Sequence, residues 1–411
     1  MASLNTTSFA DFLKTLYSDD RVRNMVYPTS PLYAKMRKWE KFSNKDFHEP
    51  LVIEDVAGGI STFSDAQGDA DATLVDAFVL TRVKDYVVAN IDNETLEAAE
   101  KGNKAAFAEA VKFTMDSAFR RSAHSICSQL YRGGTGSIGR IDATASVATT
   151  TLTLSDASDV VNFYKSQRLV FSSSDGGALR GAPAVRTVSS VNRYASATTA
   201  TLTLDAAVNS EGGVAVNDFI YTRGNAANAG SNIRLSGLNS WIPSTDPSTT
   251  PYFGVDRTQD LTRLSGIRYD GTGKNILDAV LGAATILGRE GGTPDACYMT
   301  YDKWEEAIHL LGAKIQYMDH KVGEVGFQSV RIHGPNGPID LFADRYCQAN
   351  VAWLLQTDVW TLRSLNMAPH ILNADGLKML RQAASDGVQI RIGAYMQVGN
   401  SAPGWNARIA L

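Results

Sequence analysis

The sequence predicts an α+β protein with an all-β section set into it. Three observations lead there. The stretch from Lys104 to Tyr131 keeps helical spacing throughout. Residues 388–398 alternate apolar and polar with period two. Between them, residues 136–224 lose all helical periodicity and repeat themselves at an offset of 50 residues. Mixed helical and strand patterns in one chain, not strictly alternating, are the signature of α+β layering.

Taken in order, residues 1–50 read as an arm. Phe9, Phe12, Leu13, Leu16 and Tyr17 mark a short amphipathic helix, which Pro28 and Pro31 stop before a basic stretch with Lys35, Arg37, Lys38 and Lys41. Such a segment buries little alone and is expected to lie on another surface. Residues 51–91 read as an extended hairpin. Leu51-Val52-Ile53 opens it, Val75 to Val88 returns, and the polar tip runs from Ser64 to Asp71. Val, Phe and Tyr favour strands, and a hairpin this long suits contacts between subunits.

Residues 92–135 hold the long helix. Asn103 is placed to cap it. Phe107, Val111, Met115, Phe119, Ile126 and Leu130 form one face, and Gly133-Gly134 ends it. At 1.5 Å per residue it spans about 42 Å. In the repeat, Thr151-Leu152-Thr153-Leu154 matches Thr201-Leu202-Thr203-Leu204, and Leu169 and Phe171 match Phe219 and Tyr221. Two copies predict a small barrel or sandwich with a pseudo-twofold axis rather than a solenoid.

Residues 225–387 follow. Ile276, Leu277, Val280, Ala284 and Leu287 predict a helix that Gly291-Gly292 and Pro294 end. Ala296–Met299 is a buried strand, and Thr300 can cap a second helix bearing Trp304, Ile308 and Leu311. Gly334-Pro335-Asn336-Gly337-Pro338 has hairpin turn chemistry. Residues 388–411 return as strands, with Ala407, Ile409 and Leu411 expected to prolong the alternation of 388–398.

Composition excludes several functions. Of 411 residues, 44% are apolar and 20% charged, and 39 Lys and Arg against 43 Asp and Glu give a net charge of −4. A protein that mainly grips phosphate backbones shows a basic surplus. No run approaches the ~18 apolar residues of a membrane helix, and the N-terminus lacks a signal peptide's basic and apolar regions. The chain is expected to fold in a cytosol, with Cys127, Cys297 and Cys347 as reduced thiols.

Motifs for catalysis or ligation fail on context. Gly134-Thr135-Gly136-Ser137-Ile138-Gly139 fits G-x-G-x-x-G, but a helix precedes it and strands follow, the reverse of a dinucleotide site. Gly271-Thr272-Gly273-Lys274 lacks the earlier glycine and the following Ser or Thr of a P-loop. Asp65, Asp69 and Asp71 lack the spacing of a calcium loop. The six histidines form no metal motif, and there is no G-x-S-x-G elbow. No enzyme activity, cofactor or metal is expected.

Several segments, in this order, resemble the major capsid proteins of tailed bacteriophages. They are Pro31-Leu32-Tyr33 with Met36-Arg37-Lys38; Gly58-Gly59-Ile60 and Phe63-Ser64-Asp65-Ala66; Gly237-Leu238-Asn239-Ser240-Trp241-Ile242-Pro243; Phe253-Gly254-Val255-Asp256-Arg257; and Asp344-Arg345-Tyr346. The resemblance covers most of the chain except 136–224. It implies the Hong Kong 97-like capsid fold, shared with encapsulins. Its parts are an N-terminal arm, an extended loop, a spine helix in a peripheral domain, an axial domain mainly at 225–387, and C-terminal strands at 388–411 returning to the peripheral domain. Residues 136–224 would be an inserted β-module.

The resemblance also implies a structural subunit of an icosahedral head shell around phage DNA, assembled in the host cytoplasm and located in the virion. Partners would be copies of itself in pentamers and hexamers, a separate scaffolding protein, a portal, non-specific contact with packaged DNA, and room for a decoration protein. No membrane is involved. Phe9, Phe12, Leu32, Tyr33, Phe63, Asp65, Asp69 and Asp71 are the expected inter-subunit contacts. Some relatives crosslink through a lysine of the extended loop; none stands between Asp55 and Val83 here, so no such bond is expected. Met1 so near the arm favours a separate scaffold over a cleaved leader. Two other readings stay open: an encapsulin-like cellular compartment, and a β-rich enzyme or ligand-binding protein.

Overall fold

The structure, a computed structural model, describes residues 30–54, 56, 59–69, 73–92, 104–181, 185–196, 199–210, 212–227, 232–312, 317–322, 325–373, 380–382 and 386–411. The amphipathic segment with Phe9 and Phe12, and the cap position Asn103, lie outside these residues.

The long strand Gly387–Asn400 organises one six-stranded sheet. It pairs with Val83–Asp92 from Gly387↔Asp92 to Met396↔Val83, and on its other side with Trp360–Ser364. Arg37–Trp39 adds a parallel edge to Trp360–Ser364. The long helix, Lys104–Leu130, lies on this sheet. Met115 and Phe119 interlock with Ala89, Ile91, Ile390 and Ile392, and further along Ile126 and Leu130 enter the main core. A row at spacings of four is what a helix needs to keep one face on a sheet.

A seven-stranded sheet runs in the order Ile267–Asp270, Ala407–Ala410, Val351–Leu355, Ala296–Met299, Gly337–Ala343, Val325–Gly334, Tyr317–Val322. The helices Ile276–Arg289 and Tyr301–Leu311 pack on it. Asn275 caps the first, its side chain accepting from the Asp278 amide at 2.8 Å. Thr300 occupies the cap position of the second without a side-chain bond. One expectation is corrected here. Residues 407–410 do not prolong the strand Gly387–Asn400. A turn at Pro403–Trp405 intervenes, and Ala407–Ala410 joins the seven-stranded sheet, parallel to Ile267–Asp270.

The repeat halves fold onto one another. Leu152 pairs with Leu202, its own counterpart 50 residues on, and Phe171 pairs with Ile220 beside the Val170↔Tyr221 pair. A twofold axis therefore passes through both pairings. The strands run in the order Ser137–Arg140, Phe219–Thr222, Arg168–Ser172, Arg186–Asn192, Thr201–Leu204, Thr151–Thr153. The two ends of that series meet at an Ile141↔Leu154 bridge, where the Ser155 amide donates to the Arg140 carbonyl at 2.9 Å. The sheet is a closed six-stranded barrel around Leu152, Leu169, Phe171, Leu202 and Ile220. Closure leaves no unpaired edge.

Where the units meet, Trp241 is fully buried. It stands edge-on to Phe78 at 5.0 Å and to Tyr252 at 5.3 Å. The short helix Leu238–Trp241 can sit there only because Gly237 precedes it. A Cβ at Gly237 would lie 2.3 Å from the Gln129 and Leu130 carbonyl oxygens, at the end of the long helix.

Candidate assembly surface

Asp46–Glu54 pairs antiparallel with Leu74–Thr81. The expected return strand is thus divided near Arg82. Leu74–Thr81 stays in the hairpin, while Val83–Asp92 leaves it for the six-stranded sheet. The inward positions change parity at that point, from Phe78 and Leu80 to Val83, Asp85, Ala89 and Ile91.

The hairpin's near half is anchored. Leu51, Ile53, Phe78 and Leu80 enter the main core. Glu49 accepts from Arg363 Nε at 2.8 Å, and the same guanidinium lies 3.8 Å from the Phe47 ring. The opposite face has no such support: Val52, between the buried Leu51 and Ile53, lies across from Val75, and the two are 57% and 65% exposed. Leu74, Val56 and Ile60 are exposed as well. The tip forms a short helix, Phe63–Gly68, with no buried residue, and Phe63 is 78% exposed. This exposed apolar surface is a candidate protein-binding site. It is also strongly acidic: from Asp46 to Thr81 the sequence holds Glu54, Asp65, Asp69 and Asp76 among its acids and not one lysine or arginine.

The expected contact residues therefore divide. Phe63, Asp65 and Asp69 are exposed at the tip. Phe9, Phe12 and Asp71 lie outside the described residues. Leu32 and Tyr33 are a correction: both are buried in the subunit's own core, and Tyr33 donates its hydroxyl to the Ala368 carbonyl at 2.9 Å. Their helix, Pro31–Lys35, is docked through Asp344. That carboxylate accepts from Ser30, from Tyr131 Oη at 2.8 Å and from the Tyr346 amide at 3.0 Å. It ties the arm to the end of the long helix and to the seven-stranded sheet. Burial raises the Asp344 pKa to about 6, although each of these donors pulls the other way.

A polar cleft of about 350 Å³ lies between the long helix, the strand Val83–Asp92 and the barrel. Sequence reasoning missed it, because its residues are scattered from 85 to 235. Arg234 pairs with Asp85 at 3.1 Å and donates to Ser125 at 2.8 Å. Arg132 pairs with Asp159, whose pKa burial nonetheless pushes up to about 6. His124 Nε2 donates to the Val161 carbonyl at 2.7 Å. Burial, then the neighbouring Arg121, holds that imidazole down to about 4, so it is neutral near pH 7. Among the described residues, no cluster of three or more His, Cys, Asp or Glu side chains is arranged to hold a metal.

No protein-family model matches the chain, and no curated protein matches it by sequence. Solved structures do. A chain of the cyanophage A-1(L) capsid asymmetric unit is 12% identical and aligns over 92% of both chains with a TM-score of 0.54. The fold is that of a phage capsid chain. The capsid of a native GTA particle (9% identical, 92% of this chain and 89% of that one) reaches a TM-score of 0.43. The holo-SrpI encapsulin complex from Synechococcus elongatus PCC 7942 (6%, 92% and 87%) reaches the same value. At that level likeness carries no argument.

Proposed function

We propose that the chain is the structural subunit of an icosahedral phage head shell enclosing DNA, assembling from many copies into pentamers and hexamers. The observation that carries the reading is the shared fold with the cyanophage capsid chain over 92% of both chains. The finer assignment follows the Hong Kong 97-like pattern. Residues 1–50 are the arm, 51–91 the extended loop, and 92–135 the spine helix of the peripheral domain. Residues 225–387 are mainly the axial domain, and 136–224 are a β-module inserted into that plan. The peripheral assignment of 388–411 is kept only for Gly387–Asn400, because Ala407–Ala410 lies in the other sheet.

The chain's role is architectural rather than catalytic. Assembly energy comes from covering the hairpin's exposed apolar side chains, Val52, Leu74, Val75 and Phe63, at about 25 cal/mol per Å² of apolar surface. A separate scaffolding protein, a portal and a decoration protein complete the partner set, with non-specific contact to the packaged genome and assembly in the host cytoplasm. The test is sedimentation of the purified chain with negative-stain imaging of the fast fraction, with and without co-expressed neighbouring genes. Closed shells or five- and six-membered rings are expected. A chain that stays monomeric in both settings would refute the reading.

A further inference from the structure

We propose that the polar cleft beside the barrel binds a small oligophosphate, held by the turn at residues 164–168. The proposal stands apart from the shell reading, because it concerns a ligand of the single subunit.

The turn is fixed before any ligand arrives. The Gln167 side chain closes it, accepting from the Tyr164 amide at 3.2 Å and donating to the Thr222 hydroxyl at 2.8 Å. Ser166 takes the left-handed backbone conformation, with φ at 67°. Arg193 braces the residues just before it, donating to the Val160 and Phe163 carbonyls at 2.9 and 3.0 Å. A backbone tied at these points has little ordering left to do on binding.

Positive charge gathers here without matching acid. Arg121 reaches the turn from the long helix, its guanidinium carbon 3.5 Å from the centre of the Tyr164 ring. Lys165 and Arg168 are exposed on the turn itself. The Arg223 amide donates to the Arg168 carbonyl at 2.8 Å, which carries the Leu169↔Thr222 pairing one step further. Arg168 and Arg223 are thus cross-strand neighbours on the barrel's outer face, both exposed, since Leu169 points into its core. Like charges so placed repel. None of these four cations is in an ion pair among the described residues. Asp205 lies beyond Thr187, the other neighbour of Arg168, and accepts from that residue's amide at 3.1 Å rather than from a guanidinium.

The cleft offers no acid either. Arg121 and Arg223 line it, and Asp85, its one carboxylate among the described residues, is taken up by Arg234 at 3.1 Å and Gln129 at 3.2 Å. Arg132 also lines it, with its Nε buried and without a hydrogen-bond partner among the described residues. Cations spread along a turn, rather than focused on one point, suit a linear ligand with several negative groups. Phosphates supply the most charge and acceptor oxygens for guanidinium forks. About 350 Å³ is the size of a small-molecule site. It admits a short phosphate chain, whereas a nucleic-acid duplex is too wide to enter.

The experiment is calorimetric titration of the purified, unassembled chain at low salt with sodium tripolyphosphate, inorganic phosphate and a DNA duplex. The variants are Arg168→Gln, Arg223→Gln and, as a control for overall charge, Arg289→Gln at the end of the helix Ile276–Arg289. All three side chains are exposed, so each variant should melt as wild type does. Tripolyphosphate is expected to bind at least about tenfold more tightly than inorganic phosphate, with Arg168→Gln and Arg223→Gln each weakening it about tenfold and Arg289→Gln leaving it unchanged. Tripolyphosphate affinity weaker than about 1 mM overturns the proposal. An equal loss in Arg289→Gln, or full affinity in both turn variants, overturns it too. Binding of the duplex alone does the same and reassigns the patch to nucleic-acid contact.

Discussion

Replacing Asp344 by Asn should make the subunit's stability depend differently on pH. Asp344 is fully buried where the arm, the long helix and the seven-stranded sheet meet. Its folded pKa of about 6, against an ordinary 3.8, means the folded state holds this proton more tightly than the unfolded one. Between those values the native chain binds more protons, so stability falls as pH rises. The contribution is fully present below about 3.8 and gone above about 6. At 1.36 kcal/mol per pH unit it is worth about 3 kcal/mol. The wild-type curve alone will not show this. His124, held down to about 4, works in the opposite sense over an overlapping window, gaining stability as pH rises. The difference between wild type and Asp344→Asn removes every other titration. Denaturant unfolding of unassembled subunits, followed by tryptophan fluorescence from pH 3.5 to 7.5, should show the variant gaining about 3 kcal/mol on wild type. A difference that stays flat across that range would refute the placement of this carboxyl.

Three further outcomes are expected. Trp241→Ala should lower unfolding stability by about 3–5 kcal/mol, because the ring fills the junction between Phe78, Tyr252 and Trp360; a loss under 1 kcal/mol in the same denaturant assay would contradict that packing. Phe63→Ser should leave stability within about 0.5 kcal/mol and yet raise the assembly threshold, since the ring is 78% exposed; unchanged shell yield would remove the tip from the interface. Boiled, denatured particles should run as a single 44.3 kDa band, and a ladder of multiples would show a covalent crosslink the lysine-free loop does not predict.

Regular local patterns were legible in the sequence. The fourfold spacing of Met115 and Phe119 located the helix and its buried face. The alternation after Val388 located the central strand. The TLTL repeat foretold a symmetric β-unit, and the structure adds that Leu152 and Leu202 meet on its axis. Partner choice was less visible. The switch at Arg82 shows only as a parity change among residues that all favour strands. Ala407–Ala410 continues an alternating rhythm while its hydrogen bonds go to another sheet. The cleft and the Asp344 junction were hidden for a different reason. Ser30, Tyr131 and Asp344 are joined through long loop closures that no spacing rule records.

The barrel's first and last strands are hydrogen-bonded neighbours, Ser137 opposite Tyr221. At Gly136 the chain runs so close to Asn225 that a Cβ there would overlap the Asn225 carbonyl. The polypeptide thus leaves the body and comes back through a single doorway. The barrel is also tied to that body by side-chain bonds, Ser128 to Asn162 at 2.7 Å and the Ala349 amide to Asp156 at 2.9 Å. For an engineer the doorway is a place to mount a foreign domain on the subunit with both ends tied down.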